Sequence, residues 1–314
     1  MCTALDIKTV IDPTQFGLTK NIGACDALLA MNTLNEANKG TETFTATLDL
    51  SKAYNRVNRK KLWDKLSKLN TPKYLIDLIK STYENHTETY KIGGETTKPA
   101  SLTQGLKQGS VLSPILFIIY VNDILTNIQK LQWGVSVPHA KQANVAGLMF
   151  VDDLHIISNS IEGLIAIIES LIEDCSKQGI IINLDKSKIL LSKEQETQNE
   201  ELLNNHPILK LFEKHNTGVY LGAHIQPGSP NTYAHIQKRM AKAHSAISAM
   251  NLRGFKIQTI GRKTINKIVT SIIIPILTYG LESFPMSDLN YKYLDSFVSK
   301  TLHNLVCRPA CSKQ

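Results

Sequence analysis

The chain has 314 residues, of which 42% are hydrophobic and 20% charged, which excludes a disordered or fibrous chain and allows two or three domain-sized packing units. No apolar run approaches the roughly 18 residues of a membrane span, no secretion signal is visible, and the five scattered cysteines suggest no disulfide framework. We therefore expect an intracellular protein that is not membrane-bound, and its excess of basic over acidic residues, 35 − 27 = +8, favours an anionic partner.

The first predicted element is a strand at Thr43–Leu50, where apolar and polar residues alternate and Asp49 stands near the C-terminal end. This pattern is typical of a half-buried strand that presents a carboxylate at one edge of a sheet. Four elements follow in order: a basic helix at Asn58–Leu69, a helix that begins after Thr71-Pro72 and runs to about Tyr83, a hairpin turn at Gly93-Gly94, and a deeply buried helix from Ser113-Pro114 through Leu125.

Two strands, Val145–Phe150 and Leu154–Ser158, are predicted on either side of a tight turn. The clearest helix follows, because the apolar residues from Ile161 to Cys175 form one stripe and Gly179 stands just beyond it. The later predicted elements are strands at Ile180–Asn183, Ile189–Ser192 and Val219–Ile225, and helices from Tyr233 onward with breaks at Pro275 and Pro285. This order predicts an α+β sheet domain followed by a basic helical domain.

The excess of positive charge is localised in one region of the chain. The 68 positions from Lys214 to Leu281 contain no acidic residue. Nine basic residues lie among them: Lys214, Lys238, Arg239, Lys242, Arg253, Lys256, Arg262, Lys263 and Lys267. An extended region of one sign is typical of a protein that binds a polyanion, whereas a merely solvated helical surface usually mixes both signs. We therefore expect a nucleic-acid partner.

Two acidic sites lie beside apolar strands: Asp49 at a strand end, and the adjacent Asp152 and Asp153 in the predicted turn. Neighbouring carboxylates repel each other, so a bound cation would explain their placement. Oxygen ligands of this kind suit Mg²⁺ or Mn²⁺, and three carboxylates could hold two ions about 3.5–4 Å apart, the arrangement used for in-line phosphoryl transfer. The alternative is a solvated turn and a solvated strand end, and spacing alone does not decide between them.

A loop with two glycines leads into the buried helix between these acidic sites. Gly105 and Gly109 let the backbone approach a flat partner, and Gln108 has the amide to hydrogen-bond a base or sugar. The helix N-terminus that follows favours a nearby phosphate. As structure alone, this segment is an ordinary entry from a loop into a helix.

Seven segments stand in order along the chain: Gln15-Phe-Gly17-Leu with Asp26-Ala-Leu, Leu48-Asp49-Leu-Ser-Lys52-Ala-Tyr54-Asn-Arg56-Val, Gly105 through Pro114 with Tyr120-Val-Asn-Asp123-Ile, Phe150-Val-Asp152-Asp153, Asn183-Leu-Asp-Lys186-Ser-Lys, Tyr220-Leu221-Gly222, and Leu277-Thr-Tyr279-Gly280-Leu-Glu282. They resemble motifs of reverse transcriptases, specifically those of non-LTR (LINE-type) retrotransposons. In order, these are the second fingers motif, motifs A, B, C and D, the primer grip, and a segment common after the thumb. Each motif alone is modest, but all seven in this order are highly specific.

The resemblance implies an α+β right-hand polymerase whose palm is an antiparallel sheet with packed helices. It places partial fingers at 1–43, the palm at 44–232 with a finger insertion at about 59–100, and a helical thumb with a C-terminal extension at 233–314. The implied activity is that of an RNA-directed DNA polymerase, a nucleotidyltransferase that extends a primer by two-metal phosphoryl transfer. The implied partners are an RNA template, a DNA primer and dNTPs, and the implied cofactor is two Mg²⁺ (or Mn²⁺) ions.

The resemblance also implies roles for individual residues. The metal ligands are Asp49, Asp152, Asp153 and the carbonyl of Leu50. Lys186 corresponds to a lysine that assists the departure of pyrophosphate. The nucleotide-binding positions are Tyr54, which excludes a 2′-hydroxyl, Gln108, which lines the templating pocket, and Gly109. The template–primer positions are Tyr220, Leu221, Gly222, Lys238, Arg239 and Lys242.

The chain departs from the family pattern at Asn55, where Asp is usual, at Val151, where Ala is commoner, and at Thr19, where Arg is frequent. Few residues precede the fingers motif, so we expect a chain truncated at the N-terminus of the fingers. One alternative is a catalytically idle, degenerate palm fragment that only binds nucleic acid or a partner. An RNA-dependent RNA polymerase is a lesser alternative, against which Tyr54 counts.

Overall fold

A computed structural model describes residues 10–51, 53–84, 87–89, 91–137, 143–252 and 261–306. Lys52, Arg253 and Lys256, named above, lie outside the described residues, as do the ends of the predicted fingers and C-terminal extension. The helices are α1 (Ala24–Ala37), α2 (Ala53–Arg56), α3 (Arg59–Lys68), α4 (Lys73–Tyr83), α5 (Ser113–Lys130), α6 (Ile161–Gln178), α7 (Lys193–Gln198), α8 (Glu200–Asn205), α9 (Thr232–Leu252), α10 (Arg262–Ile268), α11 (Ile274–Thr278) and α12 (Asp288–Val306). The strands are β1 (Phe44–Ser51), β2 (Thr87–Glu88), β3 (Lys91–Ile92), β4 (Glu95–Thr96), β5 (Ala100–Ser101), β6 (Val135–Ser136), β7 (Asn144–Val145), β8 (Gly147–Phe150), β9 (Asp153–Ser158), β10 (Ile181–Ile182), β11 (Lys188–Leu190), β12 (Glu213–His215), β13 (Gly218–Tyr220), β14 (Ala223–Gln226) and β15 (Ser229–Pro230).

The central sheet is built around β1, whose alternating sequence presents one apolar face. Its strand order is β12-β11-β1-β9-β8, with β10 paired to the C-terminal end of β1. Neighbouring strands are antiparallel except β11 and β12, which are parallel. Phe44, Ala46 and Leu48 are buried in the main core, to which helices α5 and α6 also contribute. The long apolar helices therefore cover one face of the sheet.

The opposite face of β1 is also buried, although its residues are polar. Thr47 pairs with His155 of β9, and the His155 ring lies 5.2 Å from the ring of Tyr220 in strand β13. Among the described residues, neither ring nitrogen of His155 has a hydrogen-bond partner, and burial lowers its pKa to about 4. The small sheet β13-β14-β15 thus packs directly behind the strands that carry the acidic residues.

The helices after the palm pack around a small core of their own, formed by Ala243, Ile273, Leu277 and Phe297. Helix α10, a π-helical turn at Val269–Ile273 and helix α11 follow one another directly. The predicted break at Pro275 is therefore wrong. Pro275 stands in the first turn of α11 and directly follows the π-helical turn, an irregularity of the kind at which helices accommodate a proline. The break at Pro285 is confirmed, since α12 begins only at Asp288.

One helical run within the described residues, Lys263–Ser283, is long and apolar enough by length and composition to cross a membrane. Of the 18-residue apolar stretch within this run, 28% is buried. The expectation that no apolar segment approaches this length is thus wrong for this run. The core helix of a soluble protein can have the same length and composition, and Ile273 and Leu277 of this run belong to the small helical core.

Most predicted elements are confirmed to within a few residues. Helix α6 is an example: Ser160 caps its N-terminus and Gly179 ends it in the left-handed conformation. Two predicted strands differ: Val145–Phe150 is divided between β7 and β8, which belong to different sheets, and Val219–Ile225 forms the hairpin β13–β14. Its two-residue turn consists of Leu221 and Gly222, at φ +48° and +77°. A leucine with positive φ is uncommon, so the turn was not visible in the sequence.

Candidate active site

Three carboxylates meet where strands β1 and β9 lie side by side. Asp49 of β1 is directly opposite Asp153, the first residue of β9, so both side chains leave the same face of the sheet. Asp152 immediately precedes Asp153, in the two-residue loop between β8 and β9 in which Val151 has φ +60°. A β-branched residue in that conformation is a backbone outlier, and such strain is characteristic of functional turns.

The N-terminal segment fixes this strained loop. The side-chain oxygen of Gln15 accepts hydrogen bonds from the backbone N–H of Val151 at 3.0 Å and of Gly17 at 2.9 Å. Gln15 is buried and forms a bridge with Met149 of β8. A Cβ atom at Gly17 would lie 2.6 Å from a methyl carbon of Val151, so glycine is required at that close approach. The loop that carries Asp152 is therefore supported from outside its own hairpin.

The three acids repel one another in a partly dry site. The pKa of Asp153 is raised to about 6, first by burial and then by the charges of Asp152 and Asp49. Burial also raises the pKa of Asp152, and the charge of Asp49 adds to that effect. Among the described residues, the Asn183 amide donates to the Asp49 carboxylate at 3.1 Å, and the Lys186 ammonium lies 3.9 Å from that carboxylate. One lysine does not balance three carboxylates, so this corner favours additional positive charge.

The carboxylates of Asp49, Asp152 and Asp153 are chemically suited to bind divalent cations. All are hard oxygen donors, and the raised pKa values of Asp152 and Asp153 report a lack of positive charge that a cation would offset. Within the described ranges, no three His, Cys, Asp or Glu side chains are already arranged to hold a metal ion. The carboxylates would therefore have to turn toward a bound ion.

A cleft of about 730 Å³ opens beside the acids and is lined by Asp49 and Asp152 on one side. Tyr54 stands on its wall, where its ring stacks on Phe117 with centroids 4.8 Å apart. The pKa of Tyr54 is raised, chiefly by burial and secondarily by the charge of Asp152. The structure thus brings Tyr54, the predicted gate residue, to the cavity that Asp49, Leu50, Asp152 and Lys186 line. The third predicted carboxylate ligand, Asp153, lines the second cavity described below.

The glycine loop forms the other wall of the cleft. Gly105 and Leu106 donate backbone hydrogen bonds to Val57 and Tyr54, which join this loop to the segment after β1. The amide of Gln108 donates to the side chain of Asn55 at 3.3 Å. Gly109 has φ +80° and lines the cleft beside Gln108.

Arg59, at the start of α3, holds the backbone of the glycine loop and of the residues just before it. Its guanidinium donates to the carbonyl oxygens of Gly105 at 2.8 Å, Leu102 at 2.7 Å and Gln104 at 3.2 Å, and it lies 4.9 Å from the centroid of the Tyr83 ring. Planar guanidinium groups suit several fixed acceptors at once. The sequence predicts only a basic helix here, because no local pattern indicates which lysine or arginine side chain turns toward the protein interior.

A second cavity, of about 190 Å³, lies on the other side of the acids. It is lined by Asp49 and Asp153 and by the hairpin turn at Tyr220, Leu221 and Gly222. The Tyr220 hydroxyl donates to the Leu148 carbonyl at 3.3 Å and its ring is buried. The Tyr220 side chain therefore anchors the turn to the central sheet, and Leu221 and Gly222 border the cavity beside it.

The predicted basic contacts on α9 separate into two kinds. Lys238 and Lys242 are exposed. Arg239 is 7% exposed, donates to the carbonyl of Ile276 at 2.6 Å, and lies 4.8 Å from the centroid of the Tyr279 ring. The prediction that Arg239 contacts a nucleic-acid backbone is corrected accordingly, because its guanidinium is buried and contacts Ile276 and Tyr279 instead.

A family model described as reverse transcriptase (RNA-dependent DNA polymerase) matches residues 2–225. The chain belongs to the reverse transcriptase family. The match contains all three carboxylates and the β13–β14 turn, so the family recognised from the seven motifs is confirmed.

The relatives of this reverse transcriptase chain include polyproteins of non-LTR retrotransposons. It is 28% identical over 188 residues to the polyprotein of the type-2 element R2DM of Drosophila melanogaster, which covers 59% of this chain and 17% of that protein. It is 30% identical over 121 residues to that of an R2 element of Popillia japonica, covering 38% and 20%, and 27% identical over 163 residues to the RNA-directed DNA polymerase of the mobile element jockey of D. melanogaster, covering 51% and 17%. The matched region thus spans a fifth or less of these relatives.

A solved structure supports the same fold. The telomerase of Candida albicans, determined with a fragment of telomeric RNA, superposes with a TM-score of 0.52 at 10% identity, covering 97% of this chain and 52% of that one. The predicted α+β class with a polymerase palm is therefore confirmed for this reverse transcriptase chain.

Proposed function

We propose that this chain is the palm and thumb of an RNA-directed DNA polymerase that extends a DNA primer on an RNA template from dNTPs. The observation that supports this most is the meeting of Asp49, Asp152 and Asp153 at adjacent strand ends beside a cleft wide enough for a nucleotide. Two Mg²⁺ ions, when bound by these carboxylates and the Leu50 carbonyl, would stabilise the attacking and leaving oxygens of an in-line displacement.

The side chains around the cleft have separate tasks in this proposal. Tyr54 fills the space beside the sugar and so excludes a 2′-hydroxyl by volume. Gln108 and Gly109 contact the templating side of the new base pair, where Asn55 holds the Gln108 amide. Lys186, whose side chain is 70% exposed, is free to follow the triphosphate and to donate a proton to the departing pyrophosphate.

The template–primer lies across the second cavity and the helical thumb. The turn at 220–222 borders Asp49 and Asp153 and therefore positions the primer terminus. Lys238 and Lys242 contact backbone phosphates, since both are exposed in the region without acidic residues. We divide the chain accordingly into partial fingers at 1–43, palm at 44–232 with its finger insertion at about 59–100, and thumb with C-terminal extension at 233–314.

The proposal is tested by replacing one acidic oxygen. Asp152→Asn keeps the size of the side chain but removes its charge, so extension of a labelled DNA primer on an RNA template should fall by at least a hundredfold. Asp77→Asn, at an exposed carboxylate on α4, is the matched control and should extend as the wild type does. Circular dichroism and template–primer binding should be unchanged in both variants.

Two results would contradict the proposal. Extension by Asp152→Asn at the wild-type rate would remove the metal-ligand assignment. A wild-type chain that binds template–primer but does not extend it, with either Mg²⁺ or Mn²⁺, would favour the catalytically idle fragment.

A further inference from the structure

The segment Leu277–Glu282 has no task in the mechanism above, although it is one of the seven motifs. Helix α11 ends at Thr278, Tyr279 continues in an extended conformation, and Gly280 turns the chain at φ +76° into a short 3-10 helix at Leu281–Ser283. Residues of this segment and of the 3-10 helix contact three separate elements: the β13–β14 turn, helix α9 and helix α1.

Tyr279 contacts the turn that borders the acidic residues. Its hydroxyl donates to the carbonyl oxygen of Leu221 at 2.8 Å. Its ring lies against the neighbouring residue, since a Cβ atom at Gly222 would be 3.5 Å from the ring edge. Tyr279 therefore contacts both loop residues of the β13–β14 hairpin.

That turn needs outside support. Leu221 has φ +48°, a conformation that a leucine disfavours because its Cβ approaches its own backbone. Gly222 carries no such penalty at φ +77°. An isolated two-residue hairpin with a left-handed leucine would readily rearrange, and the Tyr279 hydroxyl holds the carbonyl of that residue.

Tyr279 is itself fixed by helix α9. Its carbonyl lies 3.0 Å from Nε2 of His235, a fully buried residue. The Arg239 guanidinium covers its ring at 4.8 Å and also donates to Ile276, three residues earlier. The buried Arg239 side chain thus packs on the ring of the tyrosine whose hydroxyl bonds to the turn.

Ser283, which follows this segment, contacts helix α1. The hydroxyl of Ser283 donates to the carbonyl of Cys25 at 2.7 Å, and its own carbonyl accepts from the Asn32 amide at 2.5 Å. Helix α1, the β13–β14 turn and helix α9 therefore all contact the segment Leu277–Ser283.

We propose that Tyr279 is a positioning residue that sets the turn at 220–222 relative to Asp49 and Asp153, and so couples the thumb to the placement of the primer terminus. This inference rests on the proposed function for the identity of what the turn holds. The contact between Tyr279 and the turn does not depend on it.

The inference predicts which kinetic quantity changes. Tyr279→Phe removes the hydroxyl but keeps the ring against Gly222 and beneath Arg239, so the fold and the phosphate contacts remain. The turn then shifts, and because a small misplacement of reacting groups is costly, the single-turnover extension rate should fall roughly tenfold. The template–primer Kd and the apparent affinity for dNTP should each stay within about twofold, since Lys238, Lys242 and the cleft residues are untouched.

The experiment measures two things on each variant. Hydrogen exchange of the amides at 218–226 in the chain alone should be about five- to tenfold faster in Tyr279→Phe, the value expected for loss of one hydrogen bond, and faster still in Tyr279→Leu. Single-turnover extension should follow the same order. Tyr291→Phe, at a 55% exposed tyrosine on α12, is the matched control and should match the wild type in both.

The outcomes separate the two proposals. Unchanged exchange at 218–226 in Tyr279→Phe, or unchanged extension by that variant alongside an active wild type, would overturn the inference. A slower reaction accompanied by an equal loss of template–primer affinity would also overturn it, because that is the pattern of general thumb damage. If the wild type does not extend at all, the proposed function fails, and the exchange measurement still decides whether Tyr279 sets the turn.

Discussion

Helix α9 carries three neighbouring basic residues that a sequence cannot distinguish and that the structure separates. Lys238 and Lys242 are exposed, one turn apart, whereas Arg239 is buried against Tyr279. We expect Lys238→Gln and Lys242→Gln to weaken binding of nucleic acid through lost phosphate contacts. Arg239→Gln should instead weaken the thumb.

The magnitudes follow from counterion release. Each lysine that neutralises one phosphate contributes about 0.9 to the slope of log affinity against log salt on duplex DNA, so the double lysine variant should lose about 1.8 from that slope. Between about 50 and 200 mM salt, its deficit relative to the wild type should therefore shrink about twelvefold. Arg239→Gln should leave the slope unchanged and lower the free energy of unfolding by roughly 2–3 kcal/mol, because it removes a charged hydrogen bond and a cation–π contact.

Fluorescence anisotropy with a labelled duplex DNA primer–template, titrated over a range of salt, measures the slopes, and urea unfolding measures the stabilities. Lys193→Gln is the matched control: it is an exposed lysine flanked by Glu194 and Glu196, which offset its charge. The reasoning is refuted if Arg239→Gln flattens the salt dependence as much as a lysine variant does, or if the double lysine variant retains the wild-type slope.

Two further predictions concern the palm. Tyr54→Ala should raise incorporation of ribonucleotides relative to deoxyribonucleotides at least tenfold. Tyr54→Phe keeps the ring stacked on Phe117 and should retain the wild-type selectivity. Equal selectivity in the wild type and both variants would make Tyr54 a packing residue. His155 is buried and neutral with a pKa of about 4, below the value of about 6.5 in the unfolded chain, so its stability contribution is complete above pH 6.5 and is lost as the pH falls toward 4. Urea unfolding without divalent ions should show that the wild type loses about 2 kcal/mol more than His155→Phe between pH 7.5 and 5. Parallel losses in the two proteins would place His155 in contact with solvent.

The elements that sequence predicted well are those that local pattern determines. Helix α6 has a continuous apolar stripe, a serine cap and a terminal glycine, and all three are visible within 20 residues. Strand β1 alternates strictly, and its acidic residue, Asp49, lies opposite the first residue of β9. The pairing of Asp49 with Asp153 was expected from the family motifs, whereas local pattern alone left a solvated turn as an equal alternative.

The features that sequence missed are imposed by distant contacts. Leu221 adopts its left-handed conformation against its own preference, with Tyr279 bonded to it from 58 positions away. Arg239 is buried because Tyr279 and the Ile276 carbonyl receive it, and no helical periodicity distinguishes it from Lys238. Pro275 interrupts nothing because a π-helical turn precedes it. Each case is a tertiary contact that overrides a correct local rule.

The bond between Gln15 and the amide of Val151 joins residues 136 positions apart. Chains are synthesised at about 5–20 residues per second, so Gln15 leaves the ribosome on the order of ten seconds before the loop that it supports exists. A product of interrupted translation that stops before Val151 contains Asp49 and Tyr54 but has no strand beside them. The acidic corner is therefore completed late, when a long-range loop closes, and shorter translation products lack it altogether.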